Sequence, residues 1–526
     1  MKIHGSSRPC KETVWDLLVI GGGATGLGVA VQAALEGRRV ALVEARDFAA
    51  GTSSRSTKLL HGGVRYLAQG RLRLVREALR ERATVLGLAP HLAQPLPFVV
   101  PGAGWLSWAW TGLGLKAYQW LSGRLSLGAT KALSQQALGR SLPGLPRMVA
   151  AAVAGMRYWD GQFEDARLAL ALAKTARRAG ASVHNHMRVA ALAPSAQGWQ
   201  VSLFNERDGQ TSTVQARCVV NATGVWVDAL RQMVLQPWAG EVPVKALVKP
   251  SQGVHLVVAR ERLPIEEAVL IPRTADGRVL FAVPWLGATL IGTTDTPRSD
   301  APLEPLPLQE ELDFLFRETR QALGVDLTRA DVRSVWVGLR PLVKSASSAQ
   351  GGTTSQMSRE HLILREAPGL FTVTGGKWTT YRSMAAQVMQ ALVSHGDLPR
   401  AAQGSAQTAH HQLVGAPAAG QAVHAISEAP GLHLWGSEAA LVLALPGADR
   451  DLGMGLTEAM VRFAARSEWA LTVEDMLARR WRALFLDARQ AAQMAPAVAA
   501  LLQEETGLDP QLKAFLDLCQ QYTLAD

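Results

Sequence analysis

Apolar residues in the first part of the chain are grouped in the way typical of alternating strands and helices. The continuous apolar runs Val14–Ile20 and Val40–Val43 predict parallel strands that are buried on both faces. Residues 25–36, between these runs, predict a helix. A strand, a helix and a second strand in this order indicate an α/β unit with a parallel sheet.

The pattern changes between residues 245 and 343. Short β-rich segments at residues 255–258, 279–283 and 289–293 are separated by turn residues. This arrangement predicts an antiparallel sheet rather than further α/β units.

The last part of the chain is dominated by helical patterns. Residues 396–427 are rich in Ala, Gln, Gly and His and are typical of a linker. Helical periodicity follows, for example at residues 461–470 and 473–485. We therefore predict an α-helical C-terminal domain over residues 428–526.

Three glycines follow the first predicted strand with the spacing G-x-G-x-x-G, at Gly21, Gly23 and Gly26. The first permits a tight turn, the second lets the backbone approach a pyrophosphate, and the third lets the helix pack closely on the strand. Glu44 follows the second strand, where a carboxylate can accept hydrogen bonds from a ribose. The unit predicts a dinucleotide site, and both FAD and NAD are compatible with it.

The length of 526 residues is too great for one core, so several domains are expected. A second strand that ends in small residues, at residues 221–224, indicates that the nucleotide-binding domain is discontinuous. The predicted domains are a discontinuous nucleotide-binding domain at 14–95, 149–244 and 335–395, a Trp-rich insertion at 96–148, an antiparallel-sheet substrate (cap) domain at 245–334, a linker at 396–427 and the helical domain at 428–526.

Charge and cysteine content narrow the class of protein. The formal net charge of +10 suits an acidic substrate or an anionic membrane surface. Basic residues are spread along the chain and form no block interleaved with aromatics, which argues against nucleic-acid binding. The three cysteines are far apart and predict neither a disulfide framework nor a metal site. With no apolar signal segment in the first thirteen residues, we expect a cytoplasmic protein.

A Trp-rich segment lies between Arg82 and Lys116, where the chain has no charged residue. Several prolines interrupt this segment and exclude a transmembrane helix. Trp105, Trp108 and Trp110 next to basic residues indicate contact with the surface of a membrane. The alternative is that these rings belong to a protein core or interface.

Several blocks of the sequence, taken together, resemble one enzyme family. They are IGGGATGLGVA (20–30), TSSRSTKLLHGGVRYL (52–67), NATGVW (221–226), IGTTDT (291–296), VGLRPL (337–342), SREH (358–361), TGGKWTTYR (374–382) and the helical RSEWALTVEDMLARRWRALFLDAR (466–489). The chain resembles the FAD-dependent glycerol-3-phosphate dehydrogenases of the respiratory, aerobic type over nearly its whole length.

The resemblance implies both a fold and a reaction. The fold is an α/β (overall α+β) structure with a Rossmann-like FAD-binding domain of the glutathione-reductase/D-amino-acid-oxidase type, an inserted antiparallel β substrate domain and a helical C-terminal domain. The reaction is oxidation of sn-glycerol 3-phosphate to dihydroxyacetone phosphate, with a hydride passing to flavin N5 and electrons onward to a quinone. The expected partners are this small phosphate substrate, a quinone and an anionic membrane surface on the inner face of the cell membrane, with a homodimer also expected.

The resemblance also implies which residues contact FAD. The expected cofactor contacts are Gly21, Gly23, Gly26, Glu44, Thr52, Ser53, Ser54, Ser56, Lys58, His61, Gly62, Val189, Ala222, Gly224, Gly376, Lys377 and Thr379. A helix that begins after Gly376 would direct its positive end at the flavin ring, where negative charge develops.

The substrate requires several cations around its phosphate dianion. The expected substrate contacts are Arg65, Tyr66, His255, Arg340, Arg359 and Lys377. His255 is the candidate base, because a neutral imidazole can take the hydroxyl proton near pH 7. Arg340 is the rival base or the group that polarises the developing carbonyl oxygen.

One position departs from the family pattern. Many relatives carry a lysine shortly before the histidine, whereas Gln252 lies near that point here. Two other functions stay open, namely a flavin-dependent amine or amino-acid oxidoreductase of the same fold and a non-catalytic flavoprotein module.

Overall fold

A computed structural model describes residues 13–64, 67, 70–102, 104–239, 243–274, 277–344, 361–401 and 405–525. The strands are β1 Val14–Ile20, β2 Val40–Val43, β3 Leu59–Leu60, β4 Ala93–Gly102, β5 Lys131–Leu133, β6 Ala154–Phe163, β7 Ser182–His184, β8 Met187–Ser195, β9 Gly198–Asn205, β10 Thr211–Asn221, β11 Val248–Ala259, β12 Ala268–Ile271, β13 Leu280–Trp285, β14 Ala288–Gly292, β15 Thr296–Pro297, β16 Val332–Val343, β17 His361–Ala367 and β18 Leu370–Gly375. The α-helices are α1 Ala24–Leu35, α2 Leu72–Leu88, α3 Trp105–Ser122, α4 Gln135–Ser141, α5 Pro146–Ala151, α6 Asp165–Arg178, α7 Val227–Ala239, α8 Gln309–Glu318, α9 Tyr381–Ser394, α10 Ala439–Leu443, α11 Glu458–Ser467, α12 Ala483–Leu486, α13 Ala488–Thr506 and α14 Leu512–Tyr522.

The first sheet contains the predicted α/β unit. Its strand order is β17-β18-β10-β1-β2-β7, and the five strands from β18 to β7 run parallel. β9 pairs with β10, and β8 with β9, both in antiparallel fashion. Every residue of β2 is buried, as its continuous apolar sequence predicts. The Rossmann-like fold class is confirmed.

The second sheet contains the antiparallel strands predicted beyond residue 245. Its order is β15-β11-β14-β13-β12-β4-β6-β3, with β16 on β11 and β5 on β6. Among its named pairs, β12 with β4 is parallel and the others are antiparallel. β11 and β16 pair over almost their full lengths and form the wall on which the candidate site is built.

β4 and β6 extend this sheet with residues from the earlier part of the chain. The predicted boundary at residue 95 falls inside β4, which the sequence did not predict as a strand. Pro95, Pro97 and Pro101 occupy alternate positions of β4. Successive N–H groups of a strand point to opposite edges, so these prolines remove donors from one edge only. A strand is therefore compatible with prolines that exclude a helix.

The C-terminal helices pack against the second sheet rather than forming an isolated unit. Trp285 and Trp336 of the sheet share one hydrophobic cluster with Leu484 and Phe485. The helix predicted over residues 473–485 is interrupted, because a π-helical turn at Asp475–Arg480 is followed by a left-handed residue, Arg482, with φ of 68°. The helix predicted over residues 309–323 likewise ends at Glu318 and continues as a π-helical turn.

Candidate functional site

A cavity of about 1870 Å³ is lined by residues of both sheets. The carboxyl ends of β1, β10 and β18 contribute Ile20, Ala222 and Val373 to its wall. Ligands of open parallel sheets bind at this edge of the strands. The cavity is large enough for a dinucleotide together with a small substrate.

Most of the expected cofactor contacts lie on this cavity. They are Gly21, Gly23, Glu44, Thr52, Ser53, Ser56, His61, Val189, Ala222, Gly224, Gly376, Lys377 and Thr379. These residues come from four separate parts of the sequence, and the fold brings them together.

The glycine turn has no room for larger side chains. A Cβ at Gly21, which has φ of +113°, would lie 2.5 Å from the carbonyl oxygen of Ala222, and a Cβ at Gly26 would lie 1.9 Å from the carbonyl oxygen of Gly21. The glycine spacing therefore allows β1, α1 and β10 to approach closely, as required for a diphosphate cradle at the start of α1.

Glu44 lies at the edge of the cavity next to this turn. Its two carboxylate oxygens accept hydrogen bonds from the N–H groups of Gly22 at 2.6 Å and Arg46 at 2.9 Å. Burial raises the pKa of Glu44, and the two backbone donors oppose that effect. Each oxygen keeps lone-pair capacity for a ribose hydroxyl.

Four expected cofactor contacts do not line the cavity, namely Gly26, Ser54, Lys58 and Gly62. Gly26 serves the packing of α1 on β1. The Lys58 side chain is fully buried and its Nζ donates to both carboxylate oxygens of Asp165, at 2.8 and 3.0 Å. The Gly62 N–H donates to Asp160. The sequence block located the loop of residues 51–63 correctly, but it gave no sign of which side chains turn inward.

His255 and Arg340 lie on neighbouring strands, β11 and β16, and both line the cavity. The Nε2 atom of His255 is 3.0 Å from the Thr57 hydroxyl, and its ring stacks on Trp336 with centroids 4.2 Å apart. Burial, together with the positive charges of Lys58 and Arg340, holds the pKa of His255 well below its usual value. The imidazole is therefore neutral at physiological pH.

Arg340 is held across β11 by several acceptors. Its guanidinium donates to the Thr293 hydroxyl at 3.1 Å and to the Thr294 carbonyl at 3.0 Å, and it lies 3.3 Å from Asp295 Oδ1. A Cβ at Gly253 would lie 2.3 Å from Arg340 Nη2. The glycine therefore makes room for the guanidinium.

Lys377 and Thr379 enter the cavity from a turn that precedes α9. Gly375 and Gly376 adopt φ of 78° and 76°, a left-handed conformation that favours glycine. A short 3-10 turn at Trp378–Thr380 leads into the helix. The glycine pair thus starts a helix at the cavity wall, as predicted.

Three expected substrate contacts, Arg65, Tyr66 and Arg359, lie outside the described residues. Gln252, the departure from the family pattern, does not line the cavity and is fully buried. Its amide nitrogen donates to Glu311, and its amide oxygen accepts from Arg298 Nη1 at 2.9 Å. In this structure its side chain therefore contacts Glu311 and Arg298 rather than the cavity.

The sequence prediction missed Thr57, which lines the cavity and contacts His255. Its neighbours in the hydroxyl-rich block were expected to bind cofactor, and nothing in the pattern separates them from Thr57. The contact joins residues 198 positions apart, so only the fold reveals it.

The Trp-rich segment forms α3, and much of its surface is exposed. Trp105, Trp110 and Trp120 are 65%, 73% and 78% exposed, whereas Trp108 is partly buried and donates from Nε1 to the Gly155 carbonyl. Trp110 also lines the cavity. Among the described residues, no helix is both long and apolar enough to cross a membrane, and no cluster of metal-ligating side chains occurs.

Comparison with known proteins assigns both halves of this arrangement. Residues 16–388 match the family described as FAD dependent oxidoreductase, and residues 406–513 match the C-terminal domain of alpha-glycerophosphate oxidase. The second match begins inside the segment predicted as a linker.

Relatives with known names support the same assignment. The chain is 37% identical to the mitochondrial glycerol-3-phosphate dehydrogenase of Homo sapiens, over 95% of this chain and 71% of that protein. It is 36% identical to the mitochondrial enzyme of Schizosaccharomyces pombe, over 94% of this chain and 85% of that protein. The glycerol-3-phosphate dehydrogenase of Bacillus halodurans, solved in complex with FAD, superposes with a TM-score of 0.75 at 28% identity and covers 98% of this chain and 96% of its own.

Proposed function

We infer the reaction from one premise: the chain belongs to the FAD-dependent glycerol-3-phosphate dehydrogenases, within the larger family of FAD dependent oxidoreductases. The protein oxidises sn-glycerol 3-phosphate to dihydroxyacetone phosphate. The observation that carries this conclusion is 37% identity over 95% of the chain to enzymes of that name. Amino-acid oxidoreductases such as glycine oxidase share only the fold, at 21% identity or less among the solved structures compared.

The residues on the cavity fit FAD. Gly21 and Gly23 would hold the diphosphate at the start of α1, and Glu44 would accept the ribose hydroxyls. The 51–63 loop and the turn before α9 would enclose the flavin ring. FAD, when bound, supplies the hydride acceptor, the N5 atom of its flavin ring.

We propose that Arg340 and Lys377 bind the anionic substrate, with Arg65, Tyr66 and Arg359 as further contacts expected from the sequence. Arg340 and Lys377 both line the cavity. A phosphate dianion needs several such cations, and each charge-assisted hydrogen bond contributes about 1.5 to 3 kcal/mol. The clustering of basic residues at one end of the cavity disfavours a non-catalytic flavoprotein.

We propose His255 as the base that takes the proton of the C2 hydroxyl. Its neutral state, enforced by burial, leaves one ring nitrogen with a lone pair. The Thr57 hydroxyl fixes the orientation of the ring. Arg340 is then the group that orients the substrate and stabilises negative charge on the developing carbonyl oxygen, because a guanidinium stays protonated in proteins.

We further propose that α3 rests on an anionic membrane at the inner face of the cell membrane and that electrons pass to a quinone. Trp110 and Leu113 of α3 are exposed on the surface and also line the cavity. Phe98 and Val100 of β4 continue this apolar wall. An apolar acceptor in the membrane could therefore reach the cavity along one continuous apolar surface.

The test of the substrate assignment compares candidate substrates under anaerobic conditions. The flavin absorbance at about 450 nm should bleach with glycerol 3-phosphate and remain unchanged with glycerol, glycine or proline. Glycerol is the matched control, because it has the hydroxyls but no phosphate. Bleaching by an amino acid, and none by glycerol 3-phosphate, would favour the amino-acid oxidoreductase instead.

A further inference from the structure

Four charged side chains lie together, fully buried, behind the 51–63 loop. Lys58 belongs to the loop, Glu164 and Asp165 lie where β6 gives way to α6, and Arg482 lies among the C-terminal helices. Arg482 Nε is 3.2 Å from Glu164 Oε1, and Arg482 Nη2 is 3.5 Å from Asp165 Oδ1. Two positive and two negative groups therefore balance in a region without exposure to water.

Arg482 reaches the loop because the C-terminal chain bends at this residue. Its φ of 68° is left-handed, which is unfavourable for a residue with a Cβ. The guanidinium donates from Nη1 to the Ala478 carbonyl and from Nη2 to the Ser54 carbonyl, both at 2.7 Å. It also lies 4.0 Å over the centroid of the Phe485 ring. The bend thus connects a C-terminal residue to the backbone of the loop.

Lys58 and Asp165 hold the same part of the loop. Lys58 Nζ donates to the Ser54 carbonyl at 2.8 Å, so this carbonyl accepts from two cations. Asp165 accepts from the N–H of Ser56 at 3.1 Å and from its hydroxyl at 2.7 Å. The residues on either side of Thr57 are therefore fixed by buried charges.

Thr57 carries the effect to the cavity. It lines the cavity, and its hydroxyl is 3.0 Å from His255 Nε2. His255 Nδ1 is buried without a hydrogen-bond partner among the described residues. The position of Thr57 thus governs the orientation of the imidazole.

We propose that Arg482 is a positioning residue for the flavin reaction, through which the C-terminal helices fix Thr57 against His255. The inference rests on the proposed function, since it assigns the C-terminal helices a part in the reaction at that site. Arg482 itself contacts neither substrate nor flavin, because it does not line the cavity.

The test uses a charge-balanced variant, R482M/E164Q, in the FAD-loaded protein. It removes the contact with the Ser54 carbonyl but leaves the pair of Lys58 and Asp165, and glutamine can still accept the hydrogen bond that Trp285 Nε1 donates to Glu164. The matched control is R462M/E504Q, which removes an ion pair on the exposed side of the C-terminal helices.

Hydrogen–deuterium exchange gives a readout that does not depend on turnover. Amides of residues 52–58 should exchange at least about tenfold faster in R482M/E164Q than in the parent, and the control should leave them unchanged. In anaerobic single-turnover experiments, the limiting rate of flavin reduction should fall by about 10- to 100-fold, while the Kd for glycerol 3-phosphate changes by less than about threefold.

Two results would overturn the inference. One is unchanged exchange at residues 52–58, and the other is an unchanged limiting rate in FAD-loaded R482M/E164Q with only a lower Tm, which is what a purely structural role predicts. Absence of bleaching in the parent protein would instead refute the proposed function, whereas the exchange measurement would still report on the loop.

Discussion

Replacing Thr57 with valine tests whether the buried hydroxyl orients His255. The substitution keeps the shape of the side chain but removes the partner that lies 3.0 Å from His255 Nε2. His255 is 2% exposed, so water does not readily replace the lost hydroxyl. An unsatisfied buried polar group costs about 1 to 3 kcal/mol, which corresponds to a rate loss of about 10- to 100-fold if the bond is needed in the transition state.

The assay is anaerobic stopped-flow reduction of the bound flavin by glycerol 3-phosphate. T57V should lower the limiting rate by that factor, whereas T57S, which keeps the hydroxyl, should stay within about threefold of the parent. The Kd for the substrate should change little in either variant, because Thr57 carries no charge. A limiting rate in FAD-loaded T57V equal to that of the parent would refute the role of this contact.

The remaining predictions concern other parts of the molecule. Gly253→Ala should displace the Arg340 guanidinium, whose Nη2 would lie 2.3 Å from the new Cβ, and raise the Kd for glycerol 3-phosphate by about 10- to 100-fold in a spectral titration; an unchanged Kd would exclude Arg340 from substrate binding. W105S/W110S, which removes rings that are 65% and 73% exposed, should lower binding to anionic liposomes by about tenfold or more in a sedimentation assay, and equal pelleting of variant and parent would contradict the membrane contact. Burial lowers the pKa of His184 to about 4, so the unfolded chain takes up this proton first and the free energy of unfolding should fall by about 1.4 kcal/mol per pH unit as the pH drops from about 6.5 towards 4; denaturant titrations should show a shallower slope for H184Q, and an unchanged slope would contradict the assignment.

Local patterns predicted the parts of the fold that depend on neighbours in sequence. The glycine spacing and the buried run of β2 predicted the parallel sheet, because a tight turn and a doubly buried strand each leave a local signal. The antiparallel strands and the C-terminal helices were also predicted. β4 was not predicted, because its prolines conceal the β pattern although they lie along one edge of the strand.

The inward-facing part of the site could not be predicted from sequence spacing. Lys58, Asp165 and Arg482 meet only because β6, the 51–63 loop and the C-terminal bend converge in the fold. Lys58 was expected to contact the cofactor, and nothing local distinguishes a lysine that faces a ligand from one that forms a buried ion pair. The left-handed bend at Arg482 lies within a sequence that is otherwise typical of a helix.

The measurement that tests the central claim most directly is an anaerobic titration of the FAD-loaded protein with glycerol 3-phosphate. We expect one equivalent of substrate to bleach the flavin and one equivalent of dihydroxyacetone phosphate to appear. A flavin that stays oxidised in excess glycerol 3-phosphate would contradict the assigned reaction, and so would bleaching without formation of dihydroxyacetone phosphate.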